Sequence, residues 1–140
     1  LPLQKMDTIY RYDSLHSSAI KMTVEDAALT AVSTSDSLYD TSYLKKKDKY
    51  AYFLSSNNPV TLIESKADTG RRLLMLKDSY GNSFVPFLTE HFNEIVVVDM
   101  RYYRNSPQAL IERYGITDMV FLYNIQTLSS DNNLVYLMRT

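Results

Sequence analysis

The chain has 140 residues, a length that fits one domain with a sizeable core. Hydrophobic residues make up 45% and charged residues 22%, and the formal net charge is -1, so the composition excludes a disordered or collagen-like chain and predicts no nucleic-acid partner. The chain has no cysteine, which excludes disulfides and a thiolate nucleophile.

Metal, cofactor and membrane binding are not expected either. A zinc site would have to use His16 and His91 with carboxylates, so no metal is assigned, and no cofactor motif is found. The apolar runs are far shorter than the roughly 20 residues of a membrane span. The start at Leu1-Pro2, without a signal segment, leads us to expect a piece of a longer protein.

The amino-terminal half is polar and rich in turn-forming residues. Short alternating apolar patches predict strands at 7–12, 49–54 and 60–65, and a short helical turn is expected near 41–47. We interpret this half as short strands and loops.

The carboxy-terminal half contains three continuous apolar runs, at 73–76, 95–98 and 119–123. Such runs are typical of parallel strands that are covered on both faces. They predict an α/β fold with a parallel β-α-β-α-β core at 72–124, within a single domain or partial domain spanning 1–140.

Two helices are predicted between these strands. Apolar residues at helical spacing place the first at 82–92, where Pro86 is tolerated near the helix start. The second begins at Ser106-Pro107 and ends at Gly115, following the preference for proline in the first turn and glycine after the last.

Polar residues follow each apolar run, at the sheet edge where open α/β folds bind ligands. Ser79 lies in the first of these connections, followed by Gly81 and Asn82. A serine in a tight strand-to-helix turn can present its hydroxyl above the sheet, beside backbone N–H groups that can hold an oxyanion. The alternative is an ordinary turn with a capping residue.

The segments LMLKDSYGNSFVPFL at 74–88 and EIVVVDMRYY at 94–103 resemble the carboxy-terminal half of the bacterial DHHW family. That family is related to the alginate O-acetyltransferase-like branch of SGNH hydrolases. The segments 47–54 and 121–124 fit the same resemblance, which extends over most of the chain from about Tyr39 onward.

The resemblance implies a three-layer SGNH-hydrolase-like (flavodoxin-like) domain and a Ser-His-Asp site in which Ser79 attacks an ester carbonyl. It also implies an extracellular or cell-envelope location, with the O-acetyl group of a cell-envelope glycan, or a small acyl ester, as substrate. The residues that we expect to bind the oxyanion or the substrate are Tyr80, Asn82, Arg101 and Asn124.

The Asp-His-His-Trp motif for which the family is named is absent, so the base and acid are missing from this chain. His91 lies about 12 Å from the Ser79 turn along the predicted helix, which is too far for a base. Asp13 and His16 have the Asp-x-x-His spacing of ordinary SGNH enzymes, but those enzymes place the pair after the serine.

Two functional hypotheses follow. In the first, the chain is the carboxy-terminal part of an exported SGNH-like esterase or O-acyltransferase and is inactive alone. In the second, it is a non-catalytic module that binds cell-envelope glycans or acts as a scaffold. A flavodoxin-like or receiver-like domain is a weaker third reading, because phosphate-binding and acidic-cluster signatures are missing from the loops.

Overall fold

The computed structural model describes residues 8–13 and 20–138. Over these ranges the chain forms one six-stranded mixed sheet with two α-helices, α1 (Gln108–Tyr114) and α2 (Ile125–Ser130). The strands are β1 (Lys21–Glu25), β2 (Ala31–Ser35), β3 (Val60–Glu64), β4 (Arg72–Lys77), β5 (Glu94–Val98) and β6 (Asp118–Leu122). The 3-10 helices are Thr41–Lys45, Tyr50–Tyr52, Ser79–Ser83, Val85–Leu88 and Asn132–Met138.

The strand order is β2-β1-β3-β5-β4-β6, with a parallel half and an antiparallel half. β4 is central to the parallel half and pairs with β5 on one side and β6 on the other. The predicted parallel pairing of 73–76 with 95–98 is confirmed, because Leu73 lies opposite Ile95 and Leu76 lies opposite Val98. β3, β1 and β2 extend the sheet in antiparallel pairing.

Alternate side chains of the central strand enter two different apolar clusters. Leu73 and Met75 pack in one cluster with residues of β1, β3 and β5, whereas Leu74 and Leu76 pack in the other with Leu110 of α1. Successive side chains of a strand point to opposite faces, so β4 is covered on both sides, as its continuous apolar run predicted.

β6 differs from this expectation. Its residues Met119, Val120, Phe121 and Leu122 are 36–53% exposed, although their run is as apolar as that of β4. The reason is position, since β6 pairs only with β4 and forms the edge of the sheet.

The predictions for the amino-terminal half are correct in part. The strand at 60–65 is confirmed as β3, and the helical turn near 41–47 is the 3-10 helix Thr41–Lys45. The strand at 7–12 is wrong in its described residues, 8–12, which are irregular and exposed. The strand at 49–54 is also wrong, because this segment forms the 3-10 helix Tyr50–Tyr52.

Aromatic packing explains the second error. Tyr52 and Phe53 are consecutive and both buried, and their rings contact each other and Tyr39. A strand would point neighbouring side chains to opposite faces, so it could not place both rings in one cluster.

The hairpin of β1 and β2 was not predicted. β2 is an edge strand, and Ala31, Val32, Ser33 and Thr34 are exposed, so its composition resembles that of a polar loop. Pairing with β1 creates the strand, and single-residue hydropathy carries no signal for it.

The first connection of the parallel core contains no α-helix. The helix predicted at 82–92 is replaced by the 3-10 helices Ser79–Ser83 and Val85–Leu88. Pro86 occupies the start of the second of these, where its missing N–H is tolerated, and a continuous α-helix through it would lose a backbone hydrogen bond.

The second connection is confirmed as α1. Gly115 ends the helix in a left-handed conformation with φ of 58°, which is unstrained for glycine. Pro107 precedes the helix, and the Ser106 hydroxyl accepts the Gln108 N–H at 3.2 Å. Gly115 therefore acts as expected, whereas Pro107 is the N-cap residue and does not lie in the first turn.

Candidate active site

Ser79 follows the carboxyl end of β4 in a turn that is fixed by Asp78. The Asp78 carboxylate is 1% exposed and accepts the Tyr80 N–H at 3.0 Å and the Asn124 N–H at 2.7 Å. Ser79 itself is partly exposed, and its hydroxyl has no hydrogen-bond partner among residues 8–13 and 20–138. The carboxylate of Asp78 thus holds the turn, while the serine hydroxyl stays available.

The N–H groups of this turn differ from the expected arrangement. Tyr80 donates its N–H to the Asp78 side chain, and Gly81 donates its N–H to the Asp78 carbonyl at 3.2 Å. These two donors are therefore engaged within the turn and are not free to receive an oxyanion.

A buried ionic cluster lies beneath the turn and joins the ends of β4 and β5. Lys77 is 2% exposed, and its Nζ lies 3.7 Å from Oδ2 of Asp99, whose side chain is 1% exposed. Arg101 donates from Nε at 2.8 Å and from Nη2 at 2.5 Å to the two oxygens of Asp99. Such a bidentate pair fixes the plane of the guanidinium.

The two cations of this cluster have opposite pKa shifts. Burial lowers the pKa of Lys77 to about 8, although Asp99 favours its charged form. The hydrogen bonds that Arg101 donates to Asp99 raise the pKa of Arg101, whose side chain is 34% exposed. Arg101 therefore keeps its charge at the rim, where it can face an anionic group.

Asn82 is fully buried and faces the loop at 54–58. Its amide Nδ2 donates to the Ser56 carbonyl at 3.2 Å and to Asn57 Oδ1 at 3.3 Å. Its own Oδ1 is buried without a partner in the described part of the chain. Asn82 thus joins the 3-10 helix Ser79–Ser83 to the loop at 54–58 by hydrogen bonds.

Tyr50 and Tyr80 lie at the turn, and Tyr102 follows β5 at the same edge of the sheet. Tyr80 and Tyr102 are 68% and 49% exposed. The hydroxyl of Tyr50 donates to the Tyr80 carbonyl at 2.9 Å and accepts the Ser83 N–H at 3.3 Å. Tyr50 therefore stabilises the 3-10 helix Ser79–Ser83 by hydrogen bonds, whereas the rings of Tyr80 and Tyr102 are exposed and accessible to a ligand.

Asn124 follows β6 beside the same rim. It is exposed and caps α2, with its side-chain oxygen accepting the Gln126 N–H at 2.8 Å, so its Nδ2 is the group that could face a substrate. Neighbouring Tyr123 has a buried hydroxyl without a partner among the described residues. Burial, reinforced by Asp99 and other carboxylates, raises the pKa of Tyr123.

No base is found near Ser79 in the described ranges. His91 is exposed, and its carbonyl accepts the Thr69 hydroxyl at 3.1 Å, before β4 begins. The six residues of β4 separate this point from Ser79, or roughly 20 Å at 3.3 Å per residue. His16 lies outside the described residues, and Asp13 pairs with Arg11.

Two other structural features bear on the function classes. The described residues contain no group of three or more histidine, cysteine or acidic side chains that could hold a metal ion. None of the helices in these ranges combines the length and the apolar character of a membrane span.

The structure assigns a place to each candidate. Ser79, Tyr80, Arg101 and Asn124 lie at the carboxyl edge of the parallel strands, and Asn82 lies beneath it. The sequence did not single out Asn57, because a run of small polar residues indicates only a loop, and Lys77 and Asp99 were not among the predicted site residues.

Comparison with known proteins assigns a family. The family model described as "DHHW protein" matches residues 3–98. A DHHW family protein from Eubacterium siraeum is 28% identical, with a TM-score of 0.68 over 83% of this chain and 38% of that chain. No curated protein matches.

Two structures of PatB1 from Bacillus cereus are similar as well. The one that contains a sulfonyl adduct is 27% identical, with a TM-score of 0.63 over 81% of this chain and 39% of that chain. The other is 26% identical, with a TM-score of 0.64 over 82% and 38%. This chain therefore spans less than two fifths of the length of each of these three structures.

Proposed function

Because this chain belongs to the DHHW family, we propose that it carries the nucleophile side of an SGNH-type acyl-ester site, with Ser79 as the nucleophile. The observation that carries the proposal is the position of Ser79 on the carboxyl edge of the parallel strands, in a turn fixed by Asp78. The hydroxyl of Ser79 has no hydrogen-bond partner within 8–13 and 20–138. Ligands of open α/β sheets bind at this edge.

The structural relatives support a reactive group in this fold. A sulfonyl adduct, as named for one PatB1 structure, is the kind of product that a nucleophilic side chain forms with a sulfonyl reagent. The paired apolar clusters on the two faces of β4 are consistent with a three-layer SGNH-like domain. The proposed architecture is therefore a three-layer domain with the sheet in the middle.

The roles of the other residues follow from their positions. Arg101 is held by Asp99 with its charge at the rim, so we assign it to an anionic substrate group or to the developing oxyanion. Asn124 can donate from its free amide, and Tyr80 offers its exposed ring. Asn82 acts on the turn and not on the substrate.

The missing base determines the expected activity. A serine hydroxyl needs an adjacent base to attack an ester, and His91 lies at the opposite end of β4. We therefore expect the chain alone to have little or no activity. The relatives are more than twice as long, so the base and its acid are assigned to residues outside this chain.

The substrate and the location belong to the same proposal. The family resemblance points to acyl groups of cell-envelope glycans and to an extracellular or envelope-associated protein. The exposed rings of Tyr80 and Tyr102 are suited to stacking against sugars.

The test compares hydrolysis of an acetyl ester by this chain and by any longer natural polypeptide that contains it. Each is assayed beside its Ser79→Ala variant, with Ser83→Ala as a matched control from the same 3-10 helix. We expect the longer polypeptide to lose at least about 1,000-fold in kcat with Ser79→Ala and little with Ser83→Ala. Activity that survives Ser79→Ala would remove the enzymatic proposal.

A second candidate function is a glycan-binding module without catalysis. It is favoured by the exposed tyrosine rings and by the lack of a base within the described ranges. In that case glycan binding survives Ser79→Ala, weakens with Tyr80→Ala or Tyr102→Ala, and no polypeptide containing this chain shows turnover.

A further inference from the structure

The loop that Asn82 contacts has an unusual backbone. Leu54, Ser55 and Ser56 are consecutive non-glycine residues with φ of 56°, 52° and 88°. Side chains with a Cβ disfavour this left-handed region, and a run of three such residues persists only where surrounding contacts impose it. Contacts with neighbouring segments must therefore stabilise this loop conformation.

The holding contacts come from residues on either side of Ser79. Asn82 Nδ2 donates to the Ser56 carbonyl, and both Asn82 and Lys77 donate to Asn57 Oδ1, Lys77 from Nζ at 3.0 Å. Lys77 and Asn82 are 2% and 0% exposed. The strained loop is thus fastened to the nucleophile turn through a water-shielded network.

Lys77 is the point at which three segments meet. Its Nζ contacts Asn57 of the loop and lies 3.7 Å from Asp99, which in turn holds Arg101. Its aliphatic stem lies under the Ser79 turn, so close to Gly81 that a Cβ there would stand 2.8 Å from the Lys77 Cβ. A shift of the Lys77 side chain would therefore move all three segments.

We propose that Lys77 is a positioning residue that, when protonated, holds the Ser79 turn, the Asp99–Arg101 pair and the loop at 54–57 in one arrangement. This inference rests on the proposed function for its meaning, because the turn matters most if Ser79 reacts. We assign Lys77 no direct part in the reaction, because its Nζ is directed at Asn57 and Asp99.

The charge on Lys77 is poised to change near neutral pH. Burial lowers its pKa to about 8, and the charged groups that act on it are Asp99, Arg101 and Asp78. Loss of its proton removes the ion pair with Asp99 and weakens the hydrogen bond to Asn57. The three segments are thus expected to respond together as the pH passes this value.

An NMR titration of this chain tests the inference. We expect amide resonances of Ser79 and Gly81 to shift with the same midpoint, near pH 8, as those of Ser56 and Asn57. The shared titration should disappear in Lys77→Met and persist in Lys66→Met, a control at an exposed lysine. Different midpoints for the two segments, or a shared one that survives Lys77→Met, would overturn the proposal.

A second variant keeps the test decisive if Lys77→Met does not fold. Asn57→Asp places a carboxylate 3.0 Å from the Lys77 ammonium and should raise the shared midpoint by at least about one pH unit. An unchanged midpoint would contradict the proposal. The readout needs no turnover. A failed titration, together with Ser79-dependent ester hydrolysis by a longer polypeptide, therefore rejects this inference alone.

Discussion

The carboxylate of Asp78 accepts the backbone N–H of Asn124 at 2.7 Å and so joins the end of β4 to the segment that follows β6. The same carboxylate caps the 3-10 helix Ser79–Ser83 through the Tyr80 N–H at 3.0 Å. One buried side chain therefore sets both the Ser79 turn and the distance of that turn from the segment after β6.

Replacing Asp78 by Asn tests this relationship. The substitution keeps the size of the side chain but presents an NH2 group to one of two backbone donors, which leaves a buried donor unpaired. We expect the free energy of unfolding to fall by about 1–3 kcal/mol in urea denaturation. Asp68→Asn, at an exposed residue, is the control and should change stability by less than about 0.5 kcal/mol. Equal effects of the two variants would contradict the role of Asp78.

Gly81 should not tolerate a side chain. A Cβ at this position would lie 2.8 Å from the Lys77 Cβ, which cannot rotate away because it belongs to the strand end. We expect Gly81→Ala to lower stability by about 1–3 kcal/mol and to shift the Ser79 and Tyr80 amide resonances. Gly70→Ala strains a left-handed residue with open space around it, so it should lower stability without disturbing the Ser79 turn. Unperturbed Ser79 resonances in Gly81→Ala would argue against the close contact.

The buried lysine predicts an unusual dependence of stability on pH. The pKa of Lys77 is about 8 in the folded chain and 10.5 when unfolded, so between these values the unfolded state holds the extra proton. Stability should therefore rise with pH above about 8, by at most about 1.4 kcal/mol per pH unit. Below that pH the lysine is charged in both states and contributes no slope.

Urea denaturation at several pH values checks this slope, and Lys77→Met should abolish it. The pH series must stay below about pH 10. At higher pH the tyrosines of the unfolded chain begin to ionise, whereas the raised pKa of Tyr114 keeps that residue neutral in the folded chain. Lys66→Met should retain the slope. A flat profile for the parent chain would show that the charge of Lys77 is not costly in the fold. If the slope is observed, the proposed site depends on a charge that lowers global stability, a compromise often found at functional sites.

The parallel pairing of β4 and β5 could be predicted from sequence, because a strand that is buried on both faces is a continuous apolar run. The runs in β4 and β5 are continuous and apolar, and Gly115 marks the end of α1 by its backbone conformation. β2 left no comparable signal, since its side chains are exposed and only pairing defines it. Local patterns therefore identified the central buried strands, but they did not reveal the exposed edge position of β6 or the pairing that forms β2.

The candidate site was predictable only at its surface. Ser79 and Arg101 could be found because they follow apolar strands, and strand ends meet at one edge of a parallel sheet. The contact between Lys77 and Asn57 joins residues 20 positions apart in sequence, and no periodicity encodes it. The left-handed run at 54–56 was equally hidden, because none of its residues is glycine.

Tyr114 of α1 provides the final prediction, on the antiparallel side of the sheet. Its hydroxyl donates to Oε2 of Glu25 in β1, and Glu25 is 6% exposed. The Arg113 guanidinium lies 3.9 Å from Oε1 of the same carboxylate. Tyr114→Phe leaves that buried carboxylate without its neutral hydroxyl donor, so the free energy of unfolding in urea should fall by about 1–3 kcal/mol. Tyr10→Phe, at a 71% exposed ring, is the matched control. If both variants unfold at the parent's urea midpoint, α1 is not anchored to β1 through this hydrogen bond.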